Sequence, residues 1–318
     1  MTDISAPIFR NEDKARAYLE AQRWPDGPYC PFCGQTETVK ALPPKGSMGK
    51  GWYHCKGCRK KFTVRVGTLY ERSHVPLHKW LLATHLLCSS KKGMSAHQLH
   101  RMLGVTYKTA WFMAHRIREG MREGPLFDRS MGGPGKVVEA DETFLGTQSF
   151  EFNSDKGKWT RKTGTGDMKK IVALVERGGP VRSFKVDRVS SKEIRDILVV
   201  NVWRQSTLMT DEAMHYRKVG REFSRHWKVN HGRKEYVRGE KYTNTIEGYF
   251  SIFKRGMKGV YQHCSERHLE RYLAEFDFRY NHRTALGVTD AERAEKALQG
   301  IAGKRLTYRR IGSGEARI

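Results

Sequence analysis

Two pairs of cysteines, a run of short amphipathic helices and a later alternation of strands with helices predict a multidomain chain. The cysteine pairs predict a small metal-binding ribbon over residues 18–70. The helical pattern predicts a helix-turn-helix over 74–121. The alternating region, 136–283, predicts an α/β core, and residues 284–318 are expected to be a basic C-terminal tail.

The chain has a large excess of positive charge. Its 318 residues include 59 Lys and Arg against 34 Asp and Glu, a formal net charge of +25. This excess predicts a polyanionic partner such as nucleic acid, with a solvated basic face as the alternative. No apolar run approaches the ~20 residues of a membrane span, and the N-terminus lacks the apolar region of a secretory signal. A cytoplasmic, nucleoid-associated protein with no membrane partner is therefore expected.

The four cysteines of the ribbon lie in two matched motifs. Cys30-Pro-Phe-Cys33 and Cys55-Lys-Gly-Cys58 are separated by 21 residues. Each turn directs two thiolates to one centre, and two turns complete a tetrahedral Cys₄ site for Zn²⁺. Four protein ligands leave no open position, so the zinc is predicted to be structural. A redox role would not need two matched pairs, but whether the ribbon contacts DNA or protein stays open.

The helical segment carries the capping residues of a helix-turn-helix. A helix is predicted from residue 76 to 88, Ser95 is placed to cap the next, and a turn at 104–106 leads to a third helix capped by Thr106. The last helix would enter the major groove, although a helical hairpin with a basic outer face is the alternative. The polar residues available to contact DNA on that helix are Lys108, Thr109, Arg116 and Arg118.

The α/β core follows a predicted linker at 122–135, which is rich in Gly, Pro, Arg and Asp. Predicted strands cover 136–144, 170–176, 181–186 and 206–211, with a helix over 190–202 before the fourth. Strand, strand, strand, helix, strand and helix is the ribonuclease-H-like order, in which the first Asp lies on the central strand and the second ends the fourth. Asp141 and Asp211 occupy these places. Residues 147–168 are expected to form a mobile β-hairpin or loop.

A third carboxylate follows on a predicted helix. Asn244, Glu247, Ser251 and Lys254 share one face, opposite an apolar stripe. Glu247 lies 36 residues after Asp211, which lies 70 after Asp141. A single acidic residue is ordinarily a surface charge, so the hypothesis depends on all three carboxylates occurring in this element order.

Three carboxylates gathered in space are able to bind two Mg²⁺ ions, with Mn²⁺ as a substitute, and to promote an in-line phosphoryl displacement. Asp141 and Asp211 are expected to clamp the ions, and Glu247 to complete the second site. Glu142 and Glu212 are poorer candidates, because neighbouring residues on a strand point to opposite faces. Lys254 is placed to hold a DNA phosphate.

Residues 138–146, 209–212 and 244–256 resemble motifs of the DDE transposases of one bacterial insertion-sequence group. Its members begin with a zinc ribbon and are related to eukaryotic Merlin elements. Residues 270–283 resemble the group's C-terminal signature, so the resemblance runs from about residue 18 to 283. Some relatives use Asn at the third acidic position, which leaves Asn244 as a candidate beside Glu247, or as a supporting or DNA-contacting residue. Arg255, in the same motif, is also expected to contact DNA.

The resemblance implies DNA transposition. Water would nick the DNA at an inverted-repeat end, and the freed 3′-OH would attack a target phosphodiester. The implied partners are double-stranded DNA, as transposon ends and as target, and at least one more copy of the chain.

Two other functions are compatible with parts of the pattern. One is a DNA-binding regulator derived from a transposase, which the intact Asp141, Asp211 and Glu247 argue against. The other is a metal-dependent nuclease or resolvase, which the N-terminal modules and Lys254 argue against.

Overall fold

A computed structural model describes residues 4–46, 48–122, 130–147, 150–154, 157–161, 164–229 and 243–307. The chain divides into two compact units. The terminal unit comprises Met1–Arg122 and His282–Ile318, and the central unit comprises Glu123–Asn281. None of the helices in these ranges is both long and apolar enough to cross a membrane.

The helices and strands of the described ranges follow one another along the chain in this order: α1 (Glu12–Arg23), β1 (Val39–Leu42), β2 (Trp52–Cys55), β3 (Lys61–Thr63), α2 (Leu77–Ser89), α3 (Ala96–Leu103), α4 (Tyr107–Met121), β4 (Val137–Leu145), β5 (Phe150–Asn153), β6 (Lys158–Arg161), β7 (Lys169–Glu176), β8 (Val181–Val186), α5 (Ser191–Asn201), β9 (Thr207–Asp211), α6 (Tyr216–Val219), β10 (Arg225–Val229), α7 (Asn244–Gly256), α8 (Leu269–Asn281) and α9 (Asp290–Gln299).

The ribbon in the terminal unit is an antiparallel sheet, ordered β1-β2-β3. Its apolar side is aromatic, with Phe62 stacked on Tyr53 and Trp24 packed edge-on against both rings. This small cluster joins the ribbon to the end of α1. Helix α1 begins at Glu12, ahead of the predicted start of the ribbon at residue 18.

The helices α3 and α4 begin and end where the capping residues predict. Ser95 accepts a hydrogen bond from the backbone N–H of Gln98 and caps α3. Gly104 ends that helix at a φ of 60°, in the left-handed region that glycine adopts without strain. Thr106 then accepts from the backbone N–H of Thr109 and caps α4. The two helices pack directly against each other.

Residues 284–318 differ from the expected basic tail. Helix α9 begins with a capping box formed by Thr289 and Glu292, and it packs against α2 and α4. Beyond it, Ala302 forms a β-bridge with Thr68. The buried apolar residues of α9 are alanines and one leucine at helical spacing. Because charged residues surround them in the sequence, the apolar pattern of this helix is weak. Residues 308–318, including the end of the expected tail, lie outside the described ranges.

The central unit is built on a mixed sheet with the order β10-β9-β4-β7-β8 among the described residues. Strands β4, β7 and β8 are antiparallel neighbours, while β9 and β10 run parallel to β4. This arrangement agrees with the predicted ribonuclease-H-like order, because the first strand is central and carries Asp141. The fourth strand of the sheet, β9, ends at Asp211.

The two faces of the sheet are covered by different helices. Leu145 and Ile171 pack with α7 and α8 in one apolar cluster. Val138 and Ala140 pack with α5 and α6 in the other. The alternation along β4 therefore sets which side of the sheet each of its polar residues faces.

The region between β4 and β7 contains the predicted hairpin, since β5 and β6 pair in an antiparallel two-stranded sheet. Residues 148–149, 155–156 and 162–163 of that region lie outside the described ranges. So do residues 123–129 of the predicted linker.

Candidate functional site

The four cysteines of the ribbon converge on one point. The Sγ atoms of Cys30, Cys33, Cys55 and Cys58 all lie within 4.8 Å of one another. The Cys30–Cys58 and Cys33–Cys55 pairs are 3.5 and 3.6 Å apart. Zn–S bonds of about 2.3 Å in a tetrahedron place sulfur atoms about 3.8 Å apart. The donor set and its spacing therefore fit a zinc ion.

Local backbone geometry brings the cysteines together. Gly34, which follows the first motif, has a φ of +77°, and its N–H donates to the carbonyl of Cys30 at 2.8 Å. The Thr38 hydroxyl lies 3.4 Å from Cys55 Sγ, and this contact is the largest cause that lowers the pKa of Cys55 to about 6. Burial and hydrogen bonds to neighbouring thiols raise the pKa of Cys33 and of Cys58, so in the metal-free cluster Cys55 is the thiol that ionises before these two. A lowered pKa favours the thiolate, which is the form that binds a metal.

The first two carboxylates are brought side by side by the parallel pairing of β4 and β9. Glu139 pairs with Met209, and two residues further along each strand come Asp141 and Asp211. Asp141 Oδ1 accepts from the backbone N–H of Glu142 at 2.8 Å. Asp211 Oδ1 accepts from the backbone N–H of Ala213 at 3.0 Å.

Negative charge accumulates around Asp141. Burial is the largest cause that raises its pKa to about 7, and the carboxylates of Glu142, Asp211 and Glu247 raise it further by repulsion. The three carboxylates predicted from the sequence are therefore close enough to interact. Carboxylate oxygens are the ligands that Mg²⁺ prefers, and a divalent cation would offset this repulsion.

The carboxylates are spread more widely than the thiols. Within the described ranges, the cysteine quartet is the one group of three or more His, Cys, Asp or Glu ligands with all ligand atoms within 4.8 Å of one another. A wider arrangement suits two ions, which lie about 3.5–4 Å apart in two-metal sites.

The third carboxylate is presented by α7 as predicted. Ile246, Tyr249, Phe250 and Phe253 form its buried stripe. Asn244 and Glu247 are exposed on the other side, and Lys254 is half-buried. Glu247 Oε1 accepts a hydrogen bond from the Thr243 hydroxyl at 3.1 Å. The exposed Arg255, one turn on, donates to Ser251 Oγ at 3.0 Å.

Glu142 faces the opposite side of β4 and contacts α6. Its carboxylate accepts from the Tyr216 hydroxyl at 2.8 Å and lies 3.0 Å from His215 Nε2. The hydrogen bond to Glu142 is the largest cause that raises the pKa of His215. These contacts engage the Glu142 carboxylate with Tyr216 and His215, and nothing in the sequence singles out His215.

The structure also adds Glu139, two residues before Asp141. Its side chain is 0% exposed and accepts hydrogen bonds from Arg177 Nε at 2.7 Å, Thr245 Oγ1 at 2.9 Å and the backbone N–H of Ile246 at 2.9 Å. Glu139 and Asp141 lie on the same face of β4, because residues i and i+2 of a strand share a face. Nothing in the sequence marks its partners, which lie 38 and more than 100 residues away.

The DNA-contacting residues predicted on α4 divide into two groups. Lys108 is exposed and Thr109 half-exposed in the first turn. Arg118 is 2% exposed, so it is corrected from a surface contact to a residue of the interior. Arg116 is half-buried and donates to the carbonyls of Glu71 and Leu306. The last turns of α4 are covered by α9, which the sequence did not reveal as a packed helix.

Comparison with known proteins agrees with this arrangement. Residues 10–61 match the transposase zinc-ribbon domain family, and residues 132–281 match the ISXO2-like transposase domain family. A protein in the transposable element ISH50 of Halobacterium salinarum is 29% identical over 281 residues, which cover 85% of this chain and 91% of the relative.

One solved structure is a more distant match. The crystal structure of the mariner Mos1 paired end complex with Mg shares 14% identity over 72% of this chain and 80% of that chain, with a TM-score of 0.26. That overlap is too weak to establish a common fold. The two domain matches confirm the resemblance seen in the motifs: the chain carries a region similar to the transposase zinc-ribbon domain, followed by a region similar to the ISXO2-like transposase domain.

Proposed function

We propose that this protein cleaves DNA at the inverted-repeat ends of its own element and joins the freed 3′ ends to target DNA. The observation that carries the proposal is that Asp141 and Asp211 lie on the paired strands β4 and β9, while β4 is hydrogen-bonded through Glu139 to the first turn of α7, which carries Glu247. All three carboxylates lie inside the region that matches the ISXO2-like transposase domain. Carboxylates from two neighbouring strands and a helix are able to hold two cations, which in two-metal sites stabilise both the attacking and the leaving oxygen of an in-line displacement.

In the first step, the oxygen of a water molecule forms a bond to the scissile phosphorus, and the bond to the 3′ oxygen breaks. The products are a 5′-phosphate and a 3′-OH. In the second step this 3′-OH attacks a target phosphodiester and displaces the target's own 3′ oxygen. Divalent cations, Mg²⁺ by preference, activate the attacking oxygen and neutralise the leaving one when they are bound.

The residues of the chain hold and position the reacting groups. Asp141 and Asp211 would hold the cations from adjacent strands, and Glu247 would hold them from α7. Lys254, two turns further along α7, binds a phosphate of the DNA backbone. Asn244 supports Glu247 from the same face of the helix. Positioning and charge neutralisation supply the catalysis, with no covalent protein intermediate.

The terminal unit binds the DNA. Helices α3 and α4 act as a helix-turn-helix, in which Lys108 and Thr109 face the DNA and α4 enters the major groove. Zn²⁺ in the cysteine quartet is structural. The net charge of +25 provides affinity for double-stranded DNA at any sequence. The active form is at least a dimer, since two ends must be cut together.

The test is cleavage of a labelled duplex that contains the DNA flanking the gene, with Mg²⁺ or Mn²⁺. The wild type is compared with Asp141→Asn and with Glu212→Gln, a change at an exposed neighbour of Asp211. We expect the wild type and Glu212→Gln to nick at the repeat boundary, and Asp141→Asn to bind the end without nicking. Binding by all three without nicking would favour the regulator. Equal nicking by all three would show that the carboxylate site is wrong.

A further inference from the structure

We propose that Glu139 is a positioning residue for Glu247. Its buried carboxylate holds the first turn of α7 and thereby sets where Glu247 stands relative to Asp141. This inference rests on the proposed function, because it concerns how the carboxylate site is assembled.

The contacts join the two elements that carry the site. Glu139 lies on β4, two residues before Asp141. Across more than 100 residues of sequence, its Oε1 accepts from Thr245 Oγ1 and its Oε2 from the backbone N–H of Ile246, each at 2.9 Å. Ile246 is the immediate neighbour of Glu247. The strand that bears the first ligand is therefore bonded directly to the helical turn that bears the third.

The start of α7 needs such a partner. The first N–H groups of a helix have no acceptor within the helix, and the N-cap residue Thr243 makes no side-chain capping bond. Its hydroxyl instead donates to Glu247 Oε1 at 3.1 Å. Glu139 supplies the missing acceptor from another element, and its negative charge is favoured at the positive end of the helix.

The buried charge of Glu139 is compensated. Arg177 Nε donates to Glu139 Oε1 at 2.7 Å. The Arg177 side chain is largely buried as well. A buried carboxylate without a cation would take up a proton or be strongly destabilising. The Arg177 guanidinium therefore compensates the charge of the carboxylate that accepts from α7.

Apolar packing alone would fix the position of Glu247 less sharply. Ile246 and Tyr249 bury against the sheet, but such contacts are not directional. Thr245 and Ile246, which are consecutive residues, both donate hydrogen bonds to the Glu139 carboxylate and so define the position of the first turn of α7. Residues that orient metal ligands through hydrogen bonds typically change metal affinity by roughly 10–100-fold when they are removed.

The test measures Mn²⁺ binding to the zinc-loaded full chain by titration calorimetry, for the wild type, Asp141→Asn, Glu247→Gln, Glu139→Gln and the double variant Glu139→Gln/Glu247→Gln. Thermal unfolding and end binding are followed in parallel. The matched control is Glu193→Gln, which removes a carboxylate at the N-terminus of a different helix of the same unit, α5.

We expect Glu139→Gln to weaken Mn²⁺ binding roughly tenfold or more and Glu193→Gln to leave it unchanged. The double variant should bind as weakly as Glu247→Gln alone, because Glu139 acts through Glu247. A residue that only stabilises the fold would lower the unfolding temperature without this non-additivity. Wild-type affinity in Glu139→Gln, or full additivity in the double variant, would overturn the inference.

Two outcomes keep the proposals separable. If the wild type binds Mn²⁺ and Asp141→Asn does not, while Glu139→Gln binds normally, the carboxylate site stands and only the role of Glu139 fails. If the wild type itself binds no Mn²⁺ beyond Asp141→Asn, the proposed function fails. Should Glu139→Gln not fold, Thr245→Val removes one of the two bonds and must give a smaller, equally non-additive loss.

Discussion

Arg293 of α9 donates a hydrogen bond through Nη1 to the backbone oxygen of Cys88, at 2.9 Å and across 205 residues of sequence. Cys88 lies in the last turn of α2, where backbone carbonyl groups have no N–H donor within the helix and a cation is favoured. The same guanidinium donates through Nε to the carbonyl of His282 at 2.7 Å. Arg293 therefore ties the returning C-terminal segment to the N-terminal helices within the terminal unit.

The first prediction is that Arg293→Met destabilises the terminal unit by roughly 2–3 kcal/mol, because buried carbonyl groups lose a charged donor. Arg293 is 6% exposed, so water cannot readily replace it. Lys296→Met is the matched control, since Lys296 is exposed on the same helix and its loss should change stability by no more than about 0.5 kcal/mol. Urea unfolding followed by zinc release measures both, and equal midpoints would refute the role of Arg293.

The parts of the structure that could be predicted from the sequence depend on local spacing. Cys30 and Cys33 lie in one turn because they are only three residues apart. Ser95 and Thr106 cap helices through contacts within three residues. The neighbouring positions of Asp141 and Asp211 follow from the ribonuclease-H-like element order, in which the fourth strand pairs in parallel with the first.

The parts that could not be predicted depend on distant contacts. Glu139 reads as an ordinary acidic residue until Thr245 and Ile246 are placed on it. Arg118 reads as a surface cation on a helix, yet it is buried. Helix α9 was hidden because its buried face consists mainly of alanines, which contribute little to an apolar pattern. The partners of Glu139 and the helices that pack against α9 lie far away in the sequence.

The second prediction concerns the ribbon. Cys33→Ser should lower the zinc content well below one ion per chain and lower the unfolding temperature of the terminal unit, because three thiolates bind zinc less tightly than four. Cys264→Ser is the control, since Cys264 lies outside the quartet. Metal analysis after dialysis decides the matter, and full zinc retention in Cys33→Ser would contradict a Cys₄ site.

The third prediction separates the two candidates for the third ligand. Glu247→Gln should reduce cleavage by at least a hundredfold with end binding retained, because a carboxylate binds a hard cation better than an amide does. Asn244→Ala should reduce cleavage less, roughly tenfold, as expected for a supporting group. Both residues are exposed on the same side of α7, so neither change is expected to unfold the helix. The reverse order of effects would assign the ligand to Asn244.

The fourth prediction concerns the grip of α4 on DNA. Lys108 is exposed in the first turn of this helix, where a backbone phosphate is within reach of a helix that enters the major groove. Lys108→Ala should weaken end binding and reduce the slope of log K against log salt by about 1, as the loss of one phosphate contact requires. Lys192→Ala, a change at an exposed lysine on α5 in the central unit, should weaken binding less and leave the slope unchanged.

Fluorescence anisotropy with a labelled end duplex, titrated at several salt concentrations, measures both the affinity and the salt slope. An unchanged slope in Lys108→Ala would place the DNA on another surface of the terminal unit. The helix-turn-helix interpretation of α3 and α4 would then give way to the alternative, a helical hairpin with a basic outer face.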